Sequence, residues 1–158
     1  TSTGEDRYRR GLYTTWRRSN PSPTMATFAA PNREVCTVRR NSTTTPLQSL
    51  VTLIDPVYVE AAQARASRAL QNSDRLADQI TLAFRRCLLR PPPTAEHEAL
   101  TALYTDTRQQ FAAQPQEAAA LATEPLGPLP DELSAESAAA RTGVCNVLLN
   151  LDEMFLKR

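Results

Sequence analysis

Thr45-Pro46-Leu47-Gln48-Ser49-Leu50-Val51-Thr52-Leu53-Ile54-Asp55-Pro56 is the stretch that decides the fold class of this 158-residue chain. A hydroxyl residue followed by proline is a helix start. Thr45 offers its side-chain oxygen to the free N–H groups of a first turn, and Pro46 sits where a missing N–H costs nothing. Leu47, Leu50, Val51 and Ile54 then recur at helical spacing. Asp55-Pro56 repeats the device and predicts a second helix to about Leu70, with Val57, Val59, Ala61, Ala64 and Ala69 available for packing.

Working outward toward the C-terminus, Ser73 is expected to cap a third helix whose apolar face is Leu76, Ile80, Ala83, Phe84, Cys87 and Leu88. Arg90-Pro91-Pro92-Pro93 ends it, because proline removes amide donors and forces its predecessor out of the helical region. Thr94 caps a fourth helix carrying Leu100, Leu103, Tyr104 and Phe111. Gln116 to Thr123 reads as a short alanine-rich helix, and Pro125-Leu126-Gly127-Pro128-Leu129-Pro130 as a rigid connector. A last helix begins near Asp131 or Ser134 and carries Val144, Val147, Leu148, Leu151 and Phe155.

Toward the N-terminus, residues 1–45 read as an extended, arginine-rich arm. Asn20-Pro21-Ser22-Pro23 breaks it, and Met25–Pro31 and Glu34–Val38 look extended, with two short paired strands expected there. The fold class is therefore mainly α: an irregular bundle of five or six helices over residues 46–158, preceded by the arm, in one structural domain. Composition agrees. Aromatics are only 6% of the chain and glycines number four, so small and aliphatic helix faces fit better than a turn-rich β fold.

The net charge of +1 conceals an asymmetry. Residues 1–50 hold eight arginines against Glu5, Asp6 and Glu34, a net of +5, and the remainder carries ten basic and fourteen acidic residues, a net of −4. The simplest use of such an arm is to pair with an acidic surface, of its own chain or of a partner. No run of about 18 apolar residues exists to span a membrane. The chain opens on Thr1 without an initiator Met, and is expected to be a processed protein or a piece of a longer one. Cys36, Cys87 and Cys145 are far apart, with no metal-finger or haem-attachment spacing, so no cofactor or metal is expected in this chain. One disulfide with a leftover thiol, or three buried thiols, both fit.

No catalytic centre is legible. His97 stands between Glu96 and Glu98, but consecutive helical positions point about 100° apart and cannot converge on one atom. Asp152 and Glu153 are likewise adjacent and read as part of an amphipathic core helix. Two patches carry binding candidates. Arg39, Arg40, Thr43 and Gln48 combine guanidiniums, a hydroxyl and a helix start, which is an anion-binding arrangement or the bracing of an N-cap. Arg9, Arg10, Tyr13, Trp16 and Arg17 combine aromatics and cations; such a set plugs an arm into a partner's groove more readily than it binds nucleic acid.

Several stretches, taken in order, resemble one family: Tyr8-Arg9-Arg10-Gly11-Leu12-Tyr13-Thr14-Thr15-Trp16-Arg17-Arg18, Phe28-Ala29-Ala30-Pro31-Asn32-Arg33-Glu34-Val35-Cys36, Thr43-Thr44-Thr45-Pro46-Leu47-Gln48, Ile54-Asp55-Pro56, Ala83-Phe84-Arg85-Arg86 and Leu148-Leu149-Asn150-Leu151-Asp152-Glu153. They are similar to the C-terminal part of a planctomycete-type domain of unknown function found in large exported proteins beside cytochrome-c-like domains. The resemblance implies export or a periplasmic location, and a multidomain parent or an assembly with cytochrome-like partners. It implies no reaction. Ala29 stands where the family tends to have Asp, Ser42 where Arg is frequent, and Thr44 and Ile54 where Asn is usual. These losses of polar groups favour a non-catalytic structural and docking module. The alternative is the C-terminal portion of a carbohydrate-directed or redox enzyme whose active site lies mostly outside this chain.

Overall fold

The computed structural model describes residues 8, 10–13, 15, 17, 22–31, 36, 38, 43–70, 73–129 and 133–155. Among them the chain is all helical, and it divides into two compact units, Thr1–Val51 and Thr52–Arg158.

In the first unit a 3-10 turn, Gly11–Tyr13, lies near Met25 of helix α1 (Pro23–Thr27). This corrects the expectation of extended backbone over Met25–Thr27. Ser22-Pro23 is a helix start with proline at the first position, as at Pro46, but the Ser22 side chain makes no cap bond. The helix ends in a Schellman cap: Ala30 N–H donates to the Met25 carbonyl, Ala29 N–H donates to the Ala26 carbonyl, and Ala29 is left-handed at φ 54. No strand occurs among the described residues; most of Glu34–Val38 lies outside them.

Helix α2 (Pro46–Ile54) opens as the sequence predicts and adds a reciprocal bond. Gln48 N–H donates to Thr45 Oγ1 at 3.3 Å, and Thr45 N–H donates to Gln48 Oε1 at 3.0 Å, a capping box. Asp55 caps helix α3 (Pro56–Leu70) with a one-way bond, its Oδ1 accepting from Val57 N–H at 2.9 Å.

The second unit is built around helix α7 (Ala135–Leu149), which packs against α3, α4 (Leu76–Leu88), α5 (Thr94–Ala112) and α6 (Pro115–Thr123). Nine of its fifteen residues are buried, with Ala138, Ala139 and Ala140 keeping the neighbouring backbones close. A helix at the centre of a bundle has no solvent face to make polar, so its apolar pattern runs all round. Its start is capped by Ser134, whose Oγ accepts from Ser137 N–H. The core joins Ile80, Ala83, Phe84 and Cys87 of α4 to Leu100 and Tyr104 of α5 and Val144, Cys145, Leu148 and Leu149 of α7.

Three details differ from the sequence reading. Helix α3 buries Ala62, Gln63 and Ala66 beside the expected Ala69, while Ala61 is exposed and Ala64 only half-buried. Helices α4 and α5 begin without a side-chain cap, since Ser73 accepts instead from Arg75 N–H in a local turn. The last helix stops at Leu149, and a separate short helix α8 (Asp152–Phe155) follows. Leu151 still packs on the core, but Phe155 is exposed. Glu153 accepts from Arg90 Nη2 at 2.7 Å; Arg90 also pairs with Glu96 at 3.1 Å and sits 4.9 Å from the Phe84 ring centroid. One guanidinium thus joins the end of α4, the first turn of α5 and α8.

Candidate docking surface

Helix α2 has its polarity reversed. A nine-residue helix with five aliphatic side chains would be expected to bury them, yet Leu47 is 57% exposed, Leu50 50% and Ile54 65%, while Gln48 is 8% exposed and Thr52 1%. The polar pair, four residues apart, forms the inward stripe. Each has a local reason. Gln48 uses its side-chain carbonyl on the Thr45 N–H, and its amide Nε2 donates to the Thr27 carbonyl at 2.8 Å, which ties the start of α2 to the end of α1. Thr52 Oγ1 donates to Asn150 Oδ1, and Asn146 Nδ2 donates to the Leu53 carbonyl at 3.0 Å. With the polar stripe satisfied inward, the leucines face out.

Upstream, Leu12 and Tyr13 of the 3-10 turn are exposed, and so are Arg10 and Arg17. Among the described residues, exposed large apolar side chains are concentrated in the first 54 positions. Of the arm candidates, Arg10, Tyr13 and Arg17 are thus solvent-facing, whereas Arg9 and Trp16 lie outside the described residues. Of the anion-site candidates, Thr43 is exposed, Gln48 is engaged in the capping box and the tether to Thr27, and Arg39 and Arg40 lie outside the described residues. The leucines of α2 carry no signal that separates surface from core in the sequence. Their exposure depends on where Gln48 and Thr52 find partners, 21 and 98 residues away along the chain.

Little in the second unit looks like a reaction centre. His97 Nε2 lies 3.2 Å from the Ala77 carbonyl, a link between α4 and α5, and its neighbour Glu96 is paired to Arg90. Among the described residues no group of three His, Cys, Asp or Glu side chains is placed to hold a metal ion. No helix there is long and apolar enough to cross a membrane. Cys87 and Cys145 are both free and buried in the core, and Cys36 is free and exposed. Burial pushes the Cys145 thiol up to about 12, with the nearby Cys87 adding to the rise and Arg65 opposing it. Burial likewise raises Cys87, so neither thiol is poised as a nucleophile.

Compared with known families, residues 1–104 match the family model described as PSD1, protein of unknown function (DUF1553). No curated protein and no solved structure matches the chain.

Proposed function

The chain belongs to the PSD1 family, a family of unknown function, and from that premise we propose that it is a non-catalytic structural and docking module. The observation that carries the reading is the reversed helix α2, which buries Gln48 and Thr52 and presents Leu47, Leu50 and Ile54 to solvent. An aliphatic stripe of this kind gains most when a partner removes it from water, and a set of such exposed groups on one element marks an interaction surface. The occupant is a protein surface with an apolar groove and an acidic rim. The groove takes the leucines; the rim answers the eight arginines that residues 1–50 set against three acidic residues. The partner is another domain of an exported parent polypeptide or a subunit of the same assembly, a cytochrome-like one included.

The test uses photo-crosslinking in the native source. A photoreactive residue at Leu50 or Tyr13 should trap one partner at fixed stoichiometry, while the same residue at Gln109, exposed on α5, should not. Leu47→Asp with Leu50→Asp should abolish the crosslink with helix content unchanged. Probes at Leu50 and Tyr13 that trap neither another domain of the same polypeptide nor another subunit, or that crosslink no better than the one at Gln109, rule the reading out.

A further inference from the structure

A cavity of about 480 Å³ opens in the second unit between α3, α4, α7 and the connector that follows α6. Its walls are of two kinds. Leu126, Leu129 and Leu133 are among the apolar lining residues, and Gln63, Asp74 and Arg141 among the polar ones. The size, with apolar and polar surface in nearly equal parts, is that of a small-molecule site for a polar ligand.

Arg141 is the unusual member. Its Nε donates to Gln79 Oε1 at 2.8 Å, its Nη1 donates to the Ser137 carbonyl at 2.9 Å, and its guanidinium lies 5.4 Å from the Tyr104 ring centroid. These contacts fix the plane of the group. None of them supplies a negative charge, and among the described residues no carboxylate pairs with it and Nη2 has no acceptor. Burial lowers its pKa, with Tyr104 opposing the shift and Arg108 adding to it. A half-buried cation, rigidly held on a cavity wall with no carboxylate paired to it among the described residues, is a receptor for an anion. Compare Arg90, which bridges two carboxylates and is fully committed.

The rest of the polar wall accepts rather than donates. Gln63 is 4% exposed and gives both amide hydrogens away, to the Leu121 carbonyl at 2.6 Å and the Glu124 carbonyl at 2.7 Å. Those two bonds fix the orientation of the amide, so the atom left without a partner is the acceptor Oε1. Asp74 adds a carboxylate to the lining of the cavity. Acceptors of this kind call for neutral hydroxyl donors. A ligand ammonium would satisfy them too, but it would place a second cation in a cavity that already holds Arg141. We propose that this cavity binds a small hydroxy-carboxylate, its carboxylate on Arg141 and its hydroxyls toward Gln63 and Asp74.

The test is a 15N NMR titration of the full chain with D-glucuronate, D-glucose and inorganic phosphate as probes. Saturable shifts of the Arg141 Nε–H and Gln63 amide signals are expected with glucuronate and not with glucose. Ser67→Phe places a ring at the exposed rim of the cavity without touching the Arg141 contacts, and should weaken glucuronate at least tenfold while leaving the rest of the spectrum in place. Arg141→Met should do the same, and Ser67→Phe keeps the test decisive if that variant does not fold. No saturable response to glucuronate overturns the proposal, and so does a response that Ser67→Phe leaves intact or that glucose reproduces. Phosphate binding tighter than glucuronate would mean a bare anion site, and overturns the hydroxy-carboxylate assignment.

Discussion

Gly143 lies in the middle of α7, in ordinary helical conformation, and faces Thr107 of α5. Glycine there carries an entropic cost relative to alanine, roughly 0.8–1 kcal/mol in a helix interior. Whether alanine recovers it depends on the space available. A Cβ at this position would meet Thr107 Cγ2 at 3.5 Å, an ordinary van der Waals contact, with nothing closer. Gly143→Ala should therefore stabilise the protein by about 1 kcal/mol, raising Tm by roughly 2–4 °C. The assay is urea and thermal unfolding followed by circular dichroism at 222 nm, with the urea slope unchanged. Gly127 supplies the opposing control. It also has open space around it, but its φ of 99 is one that an L side chain rarely adopts, so Gly127→Ala should lose about 1 kcal/mol or more. A Gly143→Ala variant less stable than the parent would refute the reasoning. If Thr107→Ser, which removes the contacting methyl, then restored stability, the error would lie in the α5–α7 spacing.

Leu89 ends α4 in the left-handed region at φ 59 with its side chain almost wholly in solvent, so Leu89→Gly should gain about 1 kcal/mol in the same unfolding assay. The cysteines give an alkaline signature. Cys145 has a folded pKa raised to about 12, above that of an unfolded thiol, so its contribution is complete below about pH 8.5 and drains away as pH rises. Stability should therefore fall as pH rises from about 9 toward 12 on this account, and Cys145→Ala should remove that share of the slope. A thiol reagent should label Cys36 quickly in the native protein and the two core thiols only on unfolding. Equal labelling of all three would contradict the core placement.

Features set by neighbouring residues were legible in the sequence. The starts at Thr45-Pro46 and Asp55-Pro56 follow from side-chain oxygens and a fixed proline φ, and both are found as expected. The α4 face from Ile80 to Cys87 was legible because its apolar residues are large and its other face is charged. Helix α1 was missed because Pro23 reads equally as a breaker and as a first helical residue. Features that depend on distant partners were not legible. Gln48 turns inward to Thr27 and Thr52 to Asn150, and the two relations together leave Leu47, Leu50 and Ile54 outward. The cavity is hidden for the same reason: Gln63, Asp74 and Arg141 come from three separate parts of the chain, and Arg141 looks like any surface arginine until its contacts among the described residues prove to include no carboxylate.

Ala29 shows how a departure from a family pattern needs a backbone before it can be read. The resemblance implies Asp at this position, and the loss of a carboxylate there reads naturally as the loss of a site. In the structure it is the left-handed residue of the Schellman cap on α1, with the Ala30 and Ala29 N–H groups closing back on Met25 and Ala26. Asp and Asn tolerate that conformation better than other residues with a Cβ, because their short polar side chains bond the local backbone. A preference for Asp at this position is then accounted for by helix termination alone. The cap still forms with alanine, whose Cβ is the smallest that can be placed there. The Thr27 carbonyl beside it remains available to Gln48, so the link from α1 to α2 survives the substitution. The same link turns Gln48 inward and keeps Leu47 and Leu50 on the surface. A polar residue missing from the family pattern therefore leaves the docking face as it was, and does not count against it.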